Sequence, residues 1–173
     1  MGISALNRQK VVAVCGVKNA GKTTFLEKLI PALARRGVKV AVVKHDGHRF
    51  SADREGTDTF RMLSAGAMGA AVFDGEKFQA VKYAAVTEKE LVSLYPEAEL
   101  ILLEGLKNSG YPKIEIIRGA ISGESVCRAE TLLALVTDTE LAIEGVPTVS
   151  LEDAEAAADI LCRYMGEDHA GSI

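Results

Sequence analysis

A glycine-rich segment near the N-terminus most constrains the fold of this chain. The sequence Gly16-Val17-Lys18-Asn19-Ala20-Gly21-Lys22-Thr23 has the spacing G-x-x-x-x-G-K-[ST] and follows the apolar run 10–15. Glycines at these places let consecutive backbone N–H groups point towards a triphosphate, while the lysine reaches the β- and γ-phosphates and the threonine hydroxyl binds Mg²⁺. The helix that follows adds the positive end of its dipole. The segment therefore predicts a P-loop between a strand and a helix, and with it a nucleotide site.

The composition predicts a single domain inside the cell. With 173 residues, 48% of them hydrophobic, the chain is long enough for one well-buried core, so residues 1–173 are expected to form one domain. Twenty basic and twenty-four acidic side chains give a net charge of −4, which argues against nucleic acid or an anionic membrane as a partner. Three dispersed cysteines fit reduced thiols, and we identify no signal peptide or long apolar span. We therefore expect a cytoplasmic protein.

Apolar patterning predicts an α/β fold that is P-loop NTPase-like, with a mostly parallel sheet flanked by helices. Helical spacing runs from Lys22 to Arg36 and is followed by the apolar run 38–43, a strand–helix–strand unit whose return gives parallel strands. Ligands of such sheets lie at the carboxyl ends of the strands. Further strands are predicted over 100–103, 114–117 and 132–136, and further helices over 59–64, 87–95 and 151–165.

An antiparallel hairpin is predicted as an insertion in this pattern. The apolar runs 70–73 and 78–83 are separated by a segment that begins with Asp74-Gly75, a pair typical of tight turns with positive φ. The edge of such a hairpin can pair with a copy of itself, so it is a candidate dimer surface.

An acidic residue at the end of a neighbouring strand would complete a P-loop site. The run Leu100-Ile101-Leu102-Leu103 has the character of a strand buried on both faces and ends at Glu104-Gly105. Glu104 is predicted to bind Mg²⁺, to hold one of its water ligands or to orient a nucleophile. Lys22 and Glu104 are thus the candidate catalytic residues. Gly105 lets the backbone approach the γ-phosphate.

The segment after the second strand is predicted to lie on the ligand side of the sheet. Lys44-His45-Asp46 leaves that strand where nucleotide-dependent proteins often place a switch segment, so Lys44 and His45 are candidate contacts of the γ-phosphate. Asp46 is the leading candidate for a further Mg²⁺ contact beside Thr23 and Glu104. Asp53 and Asp58 are alternatives, although aspartate is also common in ordinary loops. No His or Cys spacing supports a transition-metal site.

Recognition of the base is assigned to Asp138, which follows the predicted strand ending at Val136. A carboxylate at such a strand end can accept hydrogen bonds from N1 and N2 of guanine. A capping or turn role is an equal alternative, because the Asn-Lys-x-Asp pattern of typical GTPases is absent. ATP is not excluded.

Several motifs, taken in this order, resemble the MobB family of molybdopterin-guanine dinucleotide biosynthesis adapter proteins. The resemblance covers most of residues 10–165. It is carried by a P-loop ending Gly-Lys-Thr-Thr, Val42-Val43-Lys44-His45, Gly56-Thr57-Asp58-Thr59, Leu103-Glu104-Gly105-Leu106-Lys107 and Pro112-Lys113-Ile114-Glu115.

The resemblance implies a GTP-binding α/β protein with weak GTPase activity, a homodimer that assists the MobA guanylyltransferase in attaching GMP to molybdopterin. By matching position, Thr24 joins the loop residues that would hold phosphates and Mg²⁺, and Lys107 and Lys113 would meet an anionic pterin or the partner. The family often has more histidines after the Lys-His pair. Here the sequence is Asp46-Gly47-His48-Arg49, which counts against a role for paired histidines and adds a guanidinium suited to phosphate.

Two other functions fit the same sequence. An ATP-dependent small-molecule kinase or synthetase of the dethiobiotin-synthetase type has the same P-loop and transfers phosphate to an acceptor. A purely structural P-loop domain binds no nucleotide. The GTP-dependent adapter would instead show weak turnover and stimulation by a partner, since no Gln or Arg finger is visible in the sequence.

Overall fold

The structure is a computed structural model that describes residues 9–47, 50 and 53–166. The chain divides into two compact units. The first contains residues 1–45 and 91–173, and the second contains residues 46–90.

The described residues form eight strands and four α-helices. In chain order the strands are β1 (Lys10–Cys15), β2 (Val40–Lys44), β3 (Gly69–Phe73), β4 (Phe78–Lys82), β5 (Leu100–Glu104), β6 (Lys113–Ile117), β7 (Leu132–Thr137) and β8 (Thr148–Ser150). The helices are α1 (Lys22–Arg35), α2 (Asp58–Ser64), α3 (Glu88–Val92) and α4 (Ala154–Gly166), and a short 3₁₀ turn covers Ala129–Thr131.

The first unit is built on a six-stranded sheet in the order β2-β5-β1-β6-β7-β8. Every neighbouring pair is parallel, so all six carboxyl ends lie at one edge. At that edge Glu104 of β5 is level with Val14 of β1 and Lys44 of β2. The mostly parallel sheet expected from the sequence is confirmed. The short strand β8 was not predicted, because only Val149 of its three residues is buried.

Helices α1 and α4 cover one face of this sheet. The buried side chains of α1 recur at helical spacing (Phe25, Leu26, Leu29, Ala32 and Leu33), and those of α4 are mainly small (Ala154, Ala157, Ala158 and Leu161). Together with alternate strand residues they form the larger core. A smaller core on other strand residues includes Ala13, Cys15 and Leu103. This layered packing holds the carboxyl edge of the sheet in a fixed position.

The second unit contains α2 and the antiparallel hairpin of β3 and β4. The predicted hairpin is confirmed, but the positive φ expected at Asp74-Gly75 is wrong. Residues 74–77 form the turn: Asp74 N–H donates to the carbonyl oxygen of Lys77 (2.9 Å), and Asp74 Oδ1 accepts hydrogen bonds from the N–H groups of Glu76 (2.8 Å) and Lys77 (3.0 Å). Because the aspartate side chain closes the loop, Gly75 does not adopt a positive φ.

Helix α3 is shorter than the predicted helix over 87–95. The predicted capping box is present: Glu90 N–H donates to Thr87 Oγ1 (3.3 Å), and Thr87 N–H donates to Glu90 Oε2 (2.8 Å). Across the described residues, every helix is too short or too polar to cross a bilayer.

Candidate functional site

The 16–23 loop connects β1 to α1 at the carboxyl edge of the sheet. Gly16 has a φ of 141°, and a Cβ there would lie 2.4 Å from the carbonyl oxygen of Ile116, so a side chain cannot be accommodated. Asn19 and Gly21 also have positive φ values, 64° and 93°. Ala20 is fully buried, and its N–H donates to the carbonyl oxygen of Val17 (3.3 Å). The loop is therefore pinned to β6 and to the core.

Lys22 folds back over this loop. Its Nζ donates hydrogen bonds to the carbonyl oxygens of Val17 (2.8 Å) and Gly16 (3.2 Å). The first turn of α1 contains no acidic residue, and its N-cap, Gly21, makes no side-chain hydrogen bond. The N–H groups of that turn, the helix dipole and the ammonium group together favour an anion. The expected placement of the loop and of Lys22 between a strand and a helix is confirmed.

Glu104 links this loop to the neighbouring strand. Its Oε1 accepts a hydrogen bond from Thr23 Oγ1 (2.8 Å) and one from Lys44 Nζ (3.0 Å). The Glu104 side chain is only 8% exposed, whereas that of Lys44 is 54% exposed. The sequence-predicted residues Lys22, Thr23, Lys44 and Glu104 are thus joined through the loop and the ends of β2 and β5.

The oxygens of Thr23 and Glu104 suit Mg²⁺. This ion prefers hard oxygen ligands and usually takes only one or two from the protein, the others being waters and phosphate oxygens. Glu104 is buried, and its partners are the Thr23 hydroxyl and the Lys44 ammonium. Within the described ranges, no cluster of three or more His, Cys, Asp or Glu side chains forms a ready-made metal cage. The residues present therefore fit a Mg²⁺ ion that takes one or two ligands from the protein and the rest from water and phosphate oxygens.

The chain turns sharply after β5. Gly105 has a φ of 109°, and a Cβ there would lie 3.3 Å from the carbonyl oxygen of His45. Its N–H donates to the carbonyl oxygen of Val14 (2.9 Å), and His45 N–H donates to that of Glu104 (3.0 Å). Glycine is required here because the backbone has a positive φ and runs close to the end of β2.

Asp46 lies in the second unit, so its predicted part in a metal site stays a prediction. His45 is exposed at the end of the first unit. His48 and Arg49, expected on the ligand side, lie outside the described residues.

The alternative metal residues Asp53 and Asp58 have local partners. Asp53 Oδ1 accepts from Arg54 N–H (2.8 Å) and from the Thr57 hydroxyl (3.1 Å). The exposed Asp58 forms an ion pair with Arg61 at 3.5 Å. These contacts support the ordinary loop and helix-end roles of both carboxylates.

Lys113 does not face a ligand or partner as the resemblance implied. It is fully buried, and its Nζ donates to the carbonyl oxygens of Ser109 (2.6 Å) and Tyr111 (2.7 Å). Lys107, in contrast, is exposed. The ammonium of Lys113 therefore holds the 105–112 connection in place from beneath, because a buried cation needs such carbonyl partners.

Asp138 holds the turn that follows β6. Its Oδ1 accepts a hydrogen bond from Gly119 N–H at 2.7 Å. A Cβ on Gly119 would lie 2.9 Å from Thr139 Cγ2, so the two connections pack closely. This geometry supports the turn role weighed for Asp138. Its role in base recognition stays a prediction, in which the other carboxylate oxygen, Oδ2, would accept the hydrogen bonds from guanine.

The roles of two residues near the loop, Arg118 and Glu115, were not predicted from the sequence. Arg118 follows β6, and its Nη2 lies 3.2 Å from the position of a Cβ on Gly21. Glu115 of β6 is fully buried and accepts from the Ser125 hydroxyl (2.6 Å) and Val126 N–H (2.7 Å), which fixes the connection after β6. A signal for Arg118 was present in the sequence, since it directly follows the predicted strand 114–117.

Two thiols lie under the loop. Cys15 is buried, and its Sγ donates to the carbonyl oxygen of Gly105 at 2.8 Å. A hydrogen bond with the Cys127 thiol lowers the pKa of Cys15, while burial opposes this shift. The same hydrogen bond, followed by burial, raises the pKa of Cys127. All three cysteines are free thiols, as the sequence predicted.

Comparisons with known proteins point to one family. The family model described as "Molybdopterin guanine dinucleotide synthesis protein B" (MobB) matches residues 11–138. The chain is 34% identical over 147 residues to the molybdopterin-guanine dinucleotide biosynthesis adapter protein of Haemophilus influenzae, which covers 80% of each chain. It is 29% identical over 164 residues to the Escherichia coli protein of that name, covering 90% of this chain and 93% of the relative. The crystal structure of Bacillus subtilis MobB is similar with a TM-score of 0.71 and 26% identity, covering 89% of this chain and 96% of that one.

Proposed function

This chain belongs to the MobB family, and we propose that it is a GTP-binding adapter protein in molybdopterin-guanine dinucleotide biosynthesis. The adapter role follows from the family and from the names of the relatives. Nucleotide binding is carried by one observation above all, the 2.8 Å hydrogen bond between Thr23 of the 16–23 loop and the buried carboxylate of Glu104. This bond joins an anion-binding loop to a strand-end carboxylate, as a nucleotide–Mg²⁺ site requires. The choice of GTP follows the family resemblance.

The nucleotide phosphates bind over the N-terminus of α1. The loop backbone and the Lys22 ammonium supply positive charge there, and no first-turn carboxylate opposes it. The residues assigned to the nucleotide are Gly16, Lys18, Asn19, Ala20, Gly21, Lys22, Thr23, Thr24, Lys44, His45, Gly105 and Asp138.

Mg²⁺ is assigned to Thr23 and Glu104, with Asp46 as a further ligand. When bound, the metal neutralises charge on the β- and γ-phosphates. Lys44 balances the Glu104 carboxylate, because the ammonium of this half-exposed lysine lies 3.0 Å from Oε1 of the largely buried Glu104.

Hydrolysis of GTP by this chain alone is weak. Lys22 supports charge at the phosphates, and Glu104 orients the attacking water. Arg118 follows β6, whereas Glu104 ends β5, and β1 separates these two strands. The γ-phosphate side therefore receives no arginine from β6, which supports an adapter in preference to a fast GTPase.

The partner of the adapter is a MobA-type guanylyltransferase that attaches GMP to molybdopterin. The nucleotide state alters the segment after β2 and so the affinity for that enzyme. Lys107 is exposed on the 105–112 connection and is available to an anionic pterin or to the partner.

The protein acts as a homodimer through its hairpin. Val72, Phe73, Phe78 and Tyr83 are 53–81% exposed on the hairpin and just after it. Such an apolar surface favours association with another protein.

The whole chain, residues 1–173, functions as one domain in the cytoplasm. Among the described residues of the second unit, Leu63 is the one buried apolar side chain, so this unit lacks a core of its own. The three free thiols are compatible with a reducing compartment.

Nucleotide titration tests this proposal. The purified protein is titrated with fluorescent GTP and ATP analogues in Mg²⁺ and followed by anisotropy, with Lys22→Ala as the site variant and Lys107→Ala as a control that removes an exposed lysine. We expect GTP binding that is stronger than ATP binding and is lost in Lys22→Ala. Asp138→Ala is expected to reduce the preference for GTP over ATP, and an unchanged ratio would count against base recognition by Asp138.

ATP preference would favour the kinase or synthetase of the dethiobiotin-synthetase type. The same assay with acceptor phosphorylation as a second readout separates that enzyme from an adapter. Absence of binding to either nucleotide would contradict both functions.

A further inference from the structure

Arg118 places a guanidinium group against the 16–23 loop. Its Nη2 and Nε lie 3.2 Å and 3.7 Å from the position of a Cβ on Gly21. In the described part of the chain, this guanidinium has no hydrogen-bond or ion-pair partner. The pKa of Glu152 is lowered mainly by its hydrogen bond with Lys28, and attraction to Arg118 makes only a smaller contribution.

The backbone around Arg118 is held by several bonds. Its carbonyl oxygen accepts from the N–H groups of Ile121 and Ser122, both at 2.9 Å. The next N–H, that of Gly119, donates to Asp138 Oδ1 at 2.7 Å. Arg118 therefore starts from a fixed anchor, which reduces the entropy lost when its side chain binds a ligand.

The electrostatics at this place call for an anion. The N-terminus of α1 carries the positive end of the helix dipole, the Lys22 ammonium lies over the same loop, and the first helical turn has no carboxylate. A guanidinium and these groups repel one another by like charge, and an anion bound between them would offset that repulsion. Arg is suited to that place, because its planar group binds two phosphate oxygens at once.

The sheet order decides which phosphate Arg118 can reach. β5 and β6 flank β1 on opposite sides, so their carboxyl ends are about 10 Å apart, two strand spacings. Glu104 and Thr23 mark the side of Mg²⁺ and the β- and γ-phosphates. We propose, resting on the proposed GTP-binding function, that Arg118 binds the α-phosphate of the nucleotide, on the side of the loop away from Glu104.

Equilibrium titration of GDP and GTP tests this assignment. Fluorescent GDP and a non-hydrolysable GTP analogue are titrated into the unaltered protein, Arg118→Ala, Arg118→Lys and the control Arg128→Ala, each in Mg²⁺ and in EDTA. Arg128 is exposed and pairs with Glu130, so the control removes the same charge outside the site. Thermal unfolding of each variant without nucleotide verifies folding.

We expect Arg118→Ala to weaken GDP and GTP binding by the same factor, roughly tenfold or more, with and without Mg²⁺. Arg118→Lys should retain only part of the affinity, and Arg128→Ala should bind GDP and GTP as tightly as the unaltered protein. A loss confined to GTP, or one that disappears in EDTA, would place Arg118 at the γ-phosphate side and overturn the assignment. Unchanged affinity in Arg118→Ala overturns it while leaving GTP binding intact. Absence of binding by the unaltered protein overturns the proposed function as well.

Discussion

At the scale of single residues, the Glu104 carboxylate is the point where three elements meet. Its Oε1 receives hydrogen bonds from Thr23 of α1 and Lys44 of β2, while Glu104 itself ends β5. A single oxygen atom thus contacts both the start of α1 and the end of β2. A ligand that changes one of these contacts must also change the surroundings of the others, which would link the proposed nucleotide site to the end of β2.

A double-mutant cycle on Lys44 and Glu104 measures this link. We expect Lys44→Met to lower the free energy of unfolding in EDTA by about 1 kcal/mol, because the lysine is half exposed and its hydrogen bond is charge-assisted. The double variant with Glu104→Gln should lose less than the sum of the single losses. Urea unfolding measures all four proteins. Lys39→Met, at the exposed start of the same strand, is the control, and strictly additive losses would contradict the coupling.

Lys113 illustrates a residue whose role the sequence did not predict. A lysine in the motif Pro112-Lys113-Ile114-Glu115 looks available for a ligand, yet it is fully buried under its own connection. Burial of a charge depends on partners brought together by the fold, here the carbonyl oxygens of Ser109 and Tyr111. Hydrophobic patterning does not encode such partners, because it describes the strand but not its neighbours.

Removal of the Lys113 ammonium should destabilise the fold. We expect Lys113→Met to lower the free energy of unfolding by about 2–4 kcal/mol, because two half-buried carbonyl oxygens lose the buried ammonium as their partner. Chemical denaturation followed by circular dichroism measures this loss. Lys107→Met, an exposed lysine on the same connection, should change stability by less than about 0.5 kcal/mol. Equal effects of the two substitutions would show that Lys113 is not a structural cation.

At the scale of elements, α1 and α4 are joined by charged groups at their exposed sides. Arg36, directly after α1, bonds Glu155 at 2.5 Å and Asp159 at 2.6 Å, and Arg35 also pairs with Glu155. Hydrogen bonds from Arg36 and then from Arg35 lower the pKa of Glu155 below its ordinary value of 4.5. The same contacts raise the pKa of Arg36. These pairs fix how the two helices meet above the apolar core.

The lowered pKa of Glu155 predicts a pH dependence of stability. A carboxyl group with a lower pKa in the folded state stabilises the protein above its unfolded pKa, and this contribution is lost as the pH falls through the folded value. We expect Glu155→Gln to have a modestly lower Tm than the unaltered protein at pH 7. The difference should shrink as the pH falls below 4.5 and vanish in stronger acid. Glu144→Gln is the control, and a difference that is constant with pH would refute the assignment.

Elements with strong patterning were predicted well, and those set by local or distant contacts were not. β1 and α1 match their predicted ranges within a residue, because their apolar spacing is long and regular. The loop of the hairpin differs, because the Asp74 side chain closes it where a glycine turn was expected. The strand β8 pairs with β7 through three residues, too few to give a pattern.

Across the whole chain, the candidate site could be predicted where it depends on a sequence motif or on the end of a strand, and not where it depends on which strands are neighbours. The 16–23 loop and Glu104 follow from a motif and from the rule that carboxyl ends of parallel strands share an edge. Arg118 lies near Gly21 only because β6 is placed beside β1, a sheet order that the sequence analysis did not derive. The sequence therefore predicts which strand ends carry functional side chains, whereas sheet order determines which of those ends are neighbours.

Substitutions on the exposed surface of the hairpin test the proposed homodimer. Phe73 and Phe78 are opposite residues of β3 and β4 and are 81% and 75% exposed. Burial of such rings between two copies removes apolar surface from water, so their loss should weaken association. We expect Phe73→Ser/Phe78→Ser to sediment as a monomer at concentrations where the unaltered protein is a dimer, with its Tm nearly unchanged because neither ring contributes to a core. Ile121→Ser, an exposed apolar position in the first unit, should remain dimeric. An unchanged sedimenting mass in the double variant would exclude the hairpin as the dimer surface.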